Sequence, residues 1–133
     1  MARKRETGAG RTTWAFALPG IPVLGHGPEP AFTSRDTLSV INPNNAIAHV
    51  RLLVHYPWKG TAGPFRLTVA PHRLRRVRIN DLIFPEAVRL ATPYGLRLTS
   101  DHPVVAQVTG GYSDASRHAR TWALAYPASG QGM

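Results

Sequence analysis

The feature that most constrains this chain is a series of short alternating segments, each stopped by proline or glycine. Residues 12–18 run into Pro19-Gly20, and residues 36–41 into Asn42-Pro43-Asn44-Asn45. Residues 47–56 end at Pro57, and the turn 59–64 leads into residues 65–70. After Pro71 come residues 73–79, then 95–99 with Asp101-His102-Pro103 as the next turn. Residues 104–109 stop at Gly110-Gly111, and residues 120–126 stop at Pro127. Strands with turn signals about every 8–12 residues predict a β-sandwich or barrel of about eight strands. One helical turn is expected near 81–85, because Asp81 can cap it and Pro85 prevents a longer helix.

Composition agrees. Val, Ile and Thr number 26, against 7 for Glu, Lys and Gln. Branched residues suit pleated, half-buried strands, whereas the scarce ones usually fill exposed helix faces, so a helical bundle is excluded. With 133 residues the chain makes one domain. The absence of cysteine excludes a disulfide scaffold, a thiol nucleophile and a thiolate metal site.

The net charge is +9, and fourteen of the sixteen basic residues are arginine. A basic surface favours nucleic acid, anionic lipid or an acidic protein face. The arginines are spread along the chain, so base composition explains the bias equally well. Arg3-Lys4-Arg5 before an apolar stretch imitates a signal peptide, but Pro19, Gly20 and Pro22 interrupt it and no small-residue cleavage site follows. No run approaches the ~20 apolar residues that span a bilayer. The expectation is a soluble, cytoplasmic chain with a basic tail at 1–10, a folded domain at 11–127 and a loose end at 128–133.

Alternation assigns faces. Trp14, Phe16 and Leu18 share a side, as do Phe65, Leu67 and Val69 with Arg66 and Thr68 opposite. The fifth segment carries arginines on both faces, which a fully buried strand would not tolerate. It is therefore an edge strand, a site or an interface. The third segment has Val50, Leu52 and Val54 on one side and Ile47 and Leu53 on the other, an excess of apolar surface that predicts oligomerisation. Residues 13–19 echo 121–127 in pattern, which suggests that the first and last strands are neighbours in one sheet.

Few residues are placed for chemistry. His49 and His55 share a face but lie about 20 Å apart along a strand, and the other four histidines lie in or beside turns, so no metal and no cofactor is expected. There is no nucleophile elbow, and no nucleophile is placed for an Asp114–His118 pair, so the protein is read as non-enzymatic. Gly25-His26-Gly27-Pro28-Glu29-Pro30 is a poor phosphate loop, since two prolines remove donors and Glu29 repels anions. Flanking prolines instead fix the direction of the Glu29 carboxylate, or simply stiffen a connector. The segment 73–81 lacks the stacking aromatics of a single-strand binder, and leaves an arginine-lined pocket or a subunit interface.

Five motifs occur in register: Gly10-Arg11-x-x-Trp14, Gly25-x-Gly27-Pro28-Glu29-Pro30, Gly63-Pro64-Phe65-Arg66-Leu67-Thr68-Val69, Arg78-Ile79-Asn80-Asp81-Leu82 and Pro103-Val104-Val105-x-Gln107. Together they resemble the sensory rhodopsin transducer family over about residues 10–127. The resemblance implies a small cytoplasmic antiparallel β-sandwich, jelly-roll-like, assembled as a homotetramer that relays the state of a membrane sensory rhodopsin. It also implies two alternatives, a domain binding a sugar-like small molecule and a DNA-binding regulator.

If a ligand site exists, the candidates are Trp14, Glu29, Arg78, Asn80 and Asp81, converging at one concave face. Trp14 would supply an apolar platform, Glu29 an acceptor, and Arg78 and Asn80 donors two apart on one strand. Asp81 would accept from a ligand hydroxyl or clamp Arg78. The structural alternative has Asp81 capping a turn, Arg78 paired with Glu29, and Trp14 in the core.

Overall fold

The computed structural model describes residues 10–21, 35–58, 60–83, 85–89, 92–113 and 119–124, with backbone alone at 35, 111–113 and 119–124. Seven strands occur among them: β1 (Arg11–Leu18), β2 (Arg35–Asn42), β3 (Ala48–His55), β4 (Thr61–Val69), β5 (Arg73–Arg78), β6 (Tyr94–Ser113) and β7 (Ala119–Leu124). Every pairing is antiparallel, and no α-helix occurs among the described residues. The tail at 1–9, most of the loop between β1 and β2, and residues 125–133 lie outside the described residues.

The predicted sixth and seventh strands are one. β6 runs 20 residues through the expected turn at Asp101-His102-Pro103 and past Gly110-Gly111. Its first half, through Ser100, pairs with β1 on one side and β3 on the other. Its second half, from Val105, pairs with β2 and β7. Along β1 the register jumps from Arg11↔Val104 to Thr13↔Thr99, so Asp101, His102 and Pro103 form an unpaired corner. Proline costs no ladder bond there, and a bulged strand can bend without ending.

Side-chain contacts from segments distant in sequence hold that corner. Asp101 Oδ1 accepts the His49 main-chain N–H at 2.8 Å. The Pro103 carbonyl accepts from Asn44 Nδ2 at 2.7 Å. The Val104 carbonyl accepts from Trp14 Nε1 at 2.9 Å. Gly10, at φ 101°, passes so close to this carbonyl that a Cβ would collide with it.

β4 also starts earlier than expected, at Thr61, with Gly63 and Pro64 inside it. A bulge between Leu52 and Val54 in the β3–β4 register accommodates them. Gly63 has φ 111°, and a Cβ there would meet the Leu52 carbonyl oxygen at 2.7 Å. Pro64 is tolerated because β4 is an edge.

The strand path is β4-β3-β6-β2-β5, with β1 and β7 also on β6. β1 and β7 therefore do not pair with each other, and their sequence echo reflects similar positions at opposite ends of one long strand. β5 is an edge strand, one of the three readings its arginines left open. The sheet curls until its edges approach, and Arg75 Nη1 on β5 donates to the Thr68 carbonyl on β4 at 2.8 Å. The inward faces then merge in one core. Leu52, Val54, Phe65, Leu96 and Leu98 from the first half join Leu38, Val40, Val104 and Val108 from the second. Burying such side chains contributes roughly 1.5–3 kcal/mol each.

Two buried polar groups lock this closure. Asn42, fully buried at the end of β2, donates from Nδ2 to the carbonyls of Ala46 at 2.8 Å and Val69 at 2.9 Å. Its Oδ1 accepts from Asn44 N and Nδ2 at 3.0 and 2.8 Å. Tyr94 Oη donates to the buried Asp36 carboxylate at 2.5 Å, joining the start of β6 to the start of β2.

Candidate functional site

The sequence candidates separate in space. Trp14 is 6 % exposed and stacks beside Phe16 at a 6.4 Å ring separation. Its indole N–H is shared between the Val104 and Arg11 carbonyls. The ring lies in the core, as the structural alternative had it, and does not form an open platform. Glu29 lies outside the described residues.

Arg78, Asn80 and Asp81 do sit together, but not by strand alternation. β5 ends at Arg78, and Ile79–Asp81 make one 3-10 turn held by the Leu82 N–H on the Ile79 carbonyl at 3.1 Å. Asp81 is the last residue of that turn and not its cap. The fully buried Ile79 anchors the turn. Arg78 Nε faces Asp81 Oδ2 at 3.5 Å, with both side chains partly exposed. Arg78 pairs with Thr37, which pairs with Thr109, whereas Trp14 pairs with Leu98. The registers thus bring the turn residues together and put Trp14 in another row of β6.

The outer face of the second half carries an apolar row that the sequence reading did not single out. Leu74, Ile41 and Val105 lie side by side on β5, β2 and β6. Leu74 is 54 % and Ile41 45 % exposed. Arg76, Ser39 and Gln107 form the next row, and the two rows line a shallow groove. Period-two alternation signalled Ile41 and Leu74, but only the registers put them abreast. Ile47, just before β3, is exposed, and Leu53 on β3 is half-buried, as the two-sided pattern implied.

The outer face of the first half is basic. Arg51 on β3 is directly opposite Arg66 on β4 and beside Thr99 on β6. Arg97 is beside Leu53 in the next row. Among the described residues no carboxylate pairs with Arg51, Arg66 or Arg97. Asp36 is held by Tyr94 and Asp81 by Arg78. Asp101 is engaged by His49 through the main-chain N–H and through Nδ1 at 2.8 Å. The His49 main-chain N–H foremost, and then its ring, hold the Asp101 carboxyl below the usual carboxylate range. No group of three or more metal-ligating side chains occurs among the described residues.

These features define a small antiparallel all-β protein with broad outer faces, one basic and one carrying an apolar row. No curated protein matches the sequence. The chain belongs to the Anabaena sensory rhodopsin transducer family, whose model matches residues 9–127. It is similar to the solved structure of the Anabaena sensory rhodopsin transducer, with 40% identity and a TM-score of 0.68 over 74% of this chain and 95% of that one. The fold is also that of the crystal structure of Thermotoga maritima 1070, with 19% identity and a TM-score of 0.74 over 90% and 95% of the two chains. The family is a signalling family and not a catalytic one. No helix among the described residues is long and apolar enough to cross a membrane.

Proposed function

We propose that this protein is a non-enzymatic cytoplasmic transducer that relays the state of a sensory rhodopsin by protein–protein contact, working as a homotetramer. The observation that carries the reading is the family match over residues 9–127 together with 40% identity to a sensory rhodopsin transducer. That match favours the relay over the sugar-binding and DNA-binding alternatives. The Leu74–Ile41–Val105 row supports an assembly, because apolar side chains abreast on an outer sheet face gain from being covered.

The test is binding to the rhodopsin encoded in the same genome, in nanodiscs, in the dark and under illumination. A saturable complex whose affinity changes with light is the expected result. A genome without a rhodopsin gene, or equal absence of binding in both states, overturns the relay. Sedimentation at micromolar concentration tests the assembly, with four times the 14.5 kDa chain mass expected.

A further inference from the structure

The basic outer face holds an arrangement that costs stability unless something covers it. Arg51 and Arg66 are directly opposite on neighbouring antiparallel strands. Such positions put Cβ atoms about 5 Å apart, and like charges there destabilise the sheet. Among the described residues no carboxylate relieves them. A third guanidinium lines the same groove. Arg75 reaches from β5 to the free edge of β4, where Nη1 is fixed on the Thr68 carbonyl at 2.8 Å. His49 and Thr68 form the next row of the same face. Arg51, Arg66, Arg75, His49 and Thr68 line one groove of about 390 Å³.

We infer that this groove binds a small anion carrying two neighbouring phosphates, with Arg51, Arg66 and Arg75 as its ligands. A guanidinium presents a planar fork of donors that matches phosphate oxygens, and charge-assisted bonds of this kind are about twice as strong as neutral ones. Three guanidinium groups lining one groove, even with Arg75 Nη1 held by the Thr68 carbonyl, exceed what one phosphate needs and suit two. The groove volume fits a small molecule. Thr68 adds a hydroxyl on the same face. Among the described residues no Phe, Tyr or Trp lines the groove, so they supply no stacking platform of the kind a single-strand nucleic-acid site uses. The inference is independent of the relay function, since it rests on a face distinct from the apolar row.

The test titrates pyrophosphate into the full chain at low ionic strength, by calorimetry and by thermal shift. Saturable binding of one pyrophosphate per chain is expected, with orthophosphate weaker. Arg51→Gln and Arg66→Gln should each weaken it about tenfold or more. Arg76→Gln, on the opposite outer face, should leave it unchanged. Without anion, Arg66→Gln should melt no lower than the parent, because a like-charge pair has been relieved. That readout separates a site from a structural role, in which the variant would melt lower. Absence of saturable binding overturns the inference. So does an equal effect of Arg76→Gln, which would mean diffuse attraction. Binding to phosphatidylglycerol vesicles or duplex DNA that pyrophosphate does not displace also overturns it, and reassigns the face to a lipid surface or a nucleic acid.

Discussion

Trp14 Nε1 donates to the carbonyl of Val104 at 2.9 Å, across ninety positions of sequence. This bond pins β1 to the corner where β6 passes from the first half of the sheet to the second. It also satisfies a carbonyl at a point where the ladder is broken by the register jump. Trp14→Phe keeps most of the apolar volume and removes the donor. It should cost about 1–3 kcal/mol in urea unfolding, and an unchanged midpoint would show that the corner does not depend on this bond.

Asn42 supplies both donors and acceptor at the point where the β2 end meets the β4 end. Replacement by leucine strands the Ala46 and Val69 carbonyls and the Asn44 amides. We expect a loss of about 3 kcal/mol by chemical denaturation, well above that for Asn45→Leu at an exposed neighbouring position.

Tyr94 and Asp36 join the first residue of β6 to the beginning of β2. Tyr94→Phe removes a donor from a buried carboxylate. The expected cost is about 1.5–3 kcal/mol, read as a shifted denaturation midpoint with unchanged far-ultraviolet circular dichroism.

The Asp101 carboxyl is held below its ordinary value of 3.8, first by the His49 main-chain N–H and then by the His49 ring. A depressed folded-state pKa means that the ionised form binds more favourably in the native state. The stabilisation is therefore complete above the ordinary carboxylate range and is lost as pH falls through the lower folded value. Solvent screens this exposed pair, so the effect is small. The melting-temperature gap between the parent and Asp101→Asn should be present at about pH 6 and narrow progressively as pH falls below 3.8. A gap that stays constant as the solution is acidified would assign the effect to packing.

Ile41 and Leu74 lie abreast on the outer face of the second half. Ile41→Asp with Leu74→Asp should lower the sedimentation mass from the assembly toward 14.5 kDa while leaving circular dichroism unchanged. An intact assembly in the double variant would place the subunit contact elsewhere.

The sequence by itself determined where most of the strand segments lie and which way their side chains face, but not where every strand begins and ends. Alternation put Trp14, Phe16 and Leu18 inward and Arg66 and Thr68 outward, because side chains on a strand alternate with period two whatever the partner. Arginines on both faces limited β5 to an edge, a site or an interface, and the sheet order makes it an edge. The registers were decided only by the tertiary structure. Asp101-His102-Pro103 reads locally as a turn. It is a corner within β6 because His49, Asn44 and Trp14, all distant in sequence, hold its backbone extended. The same applies to the sites. Trp14 carries a polar tip that could have faced a ligand, and a carbonyl 90 residues away claims it. Arg51 and Arg66 are unremarkable outward residues in sequence, and the bulged register of the β3–β4 hairpin sets them face to face. Facing is a local property of the backbone, whereas adjacency depends on which strands meet and at what offset, and long-range packing fixes that offset.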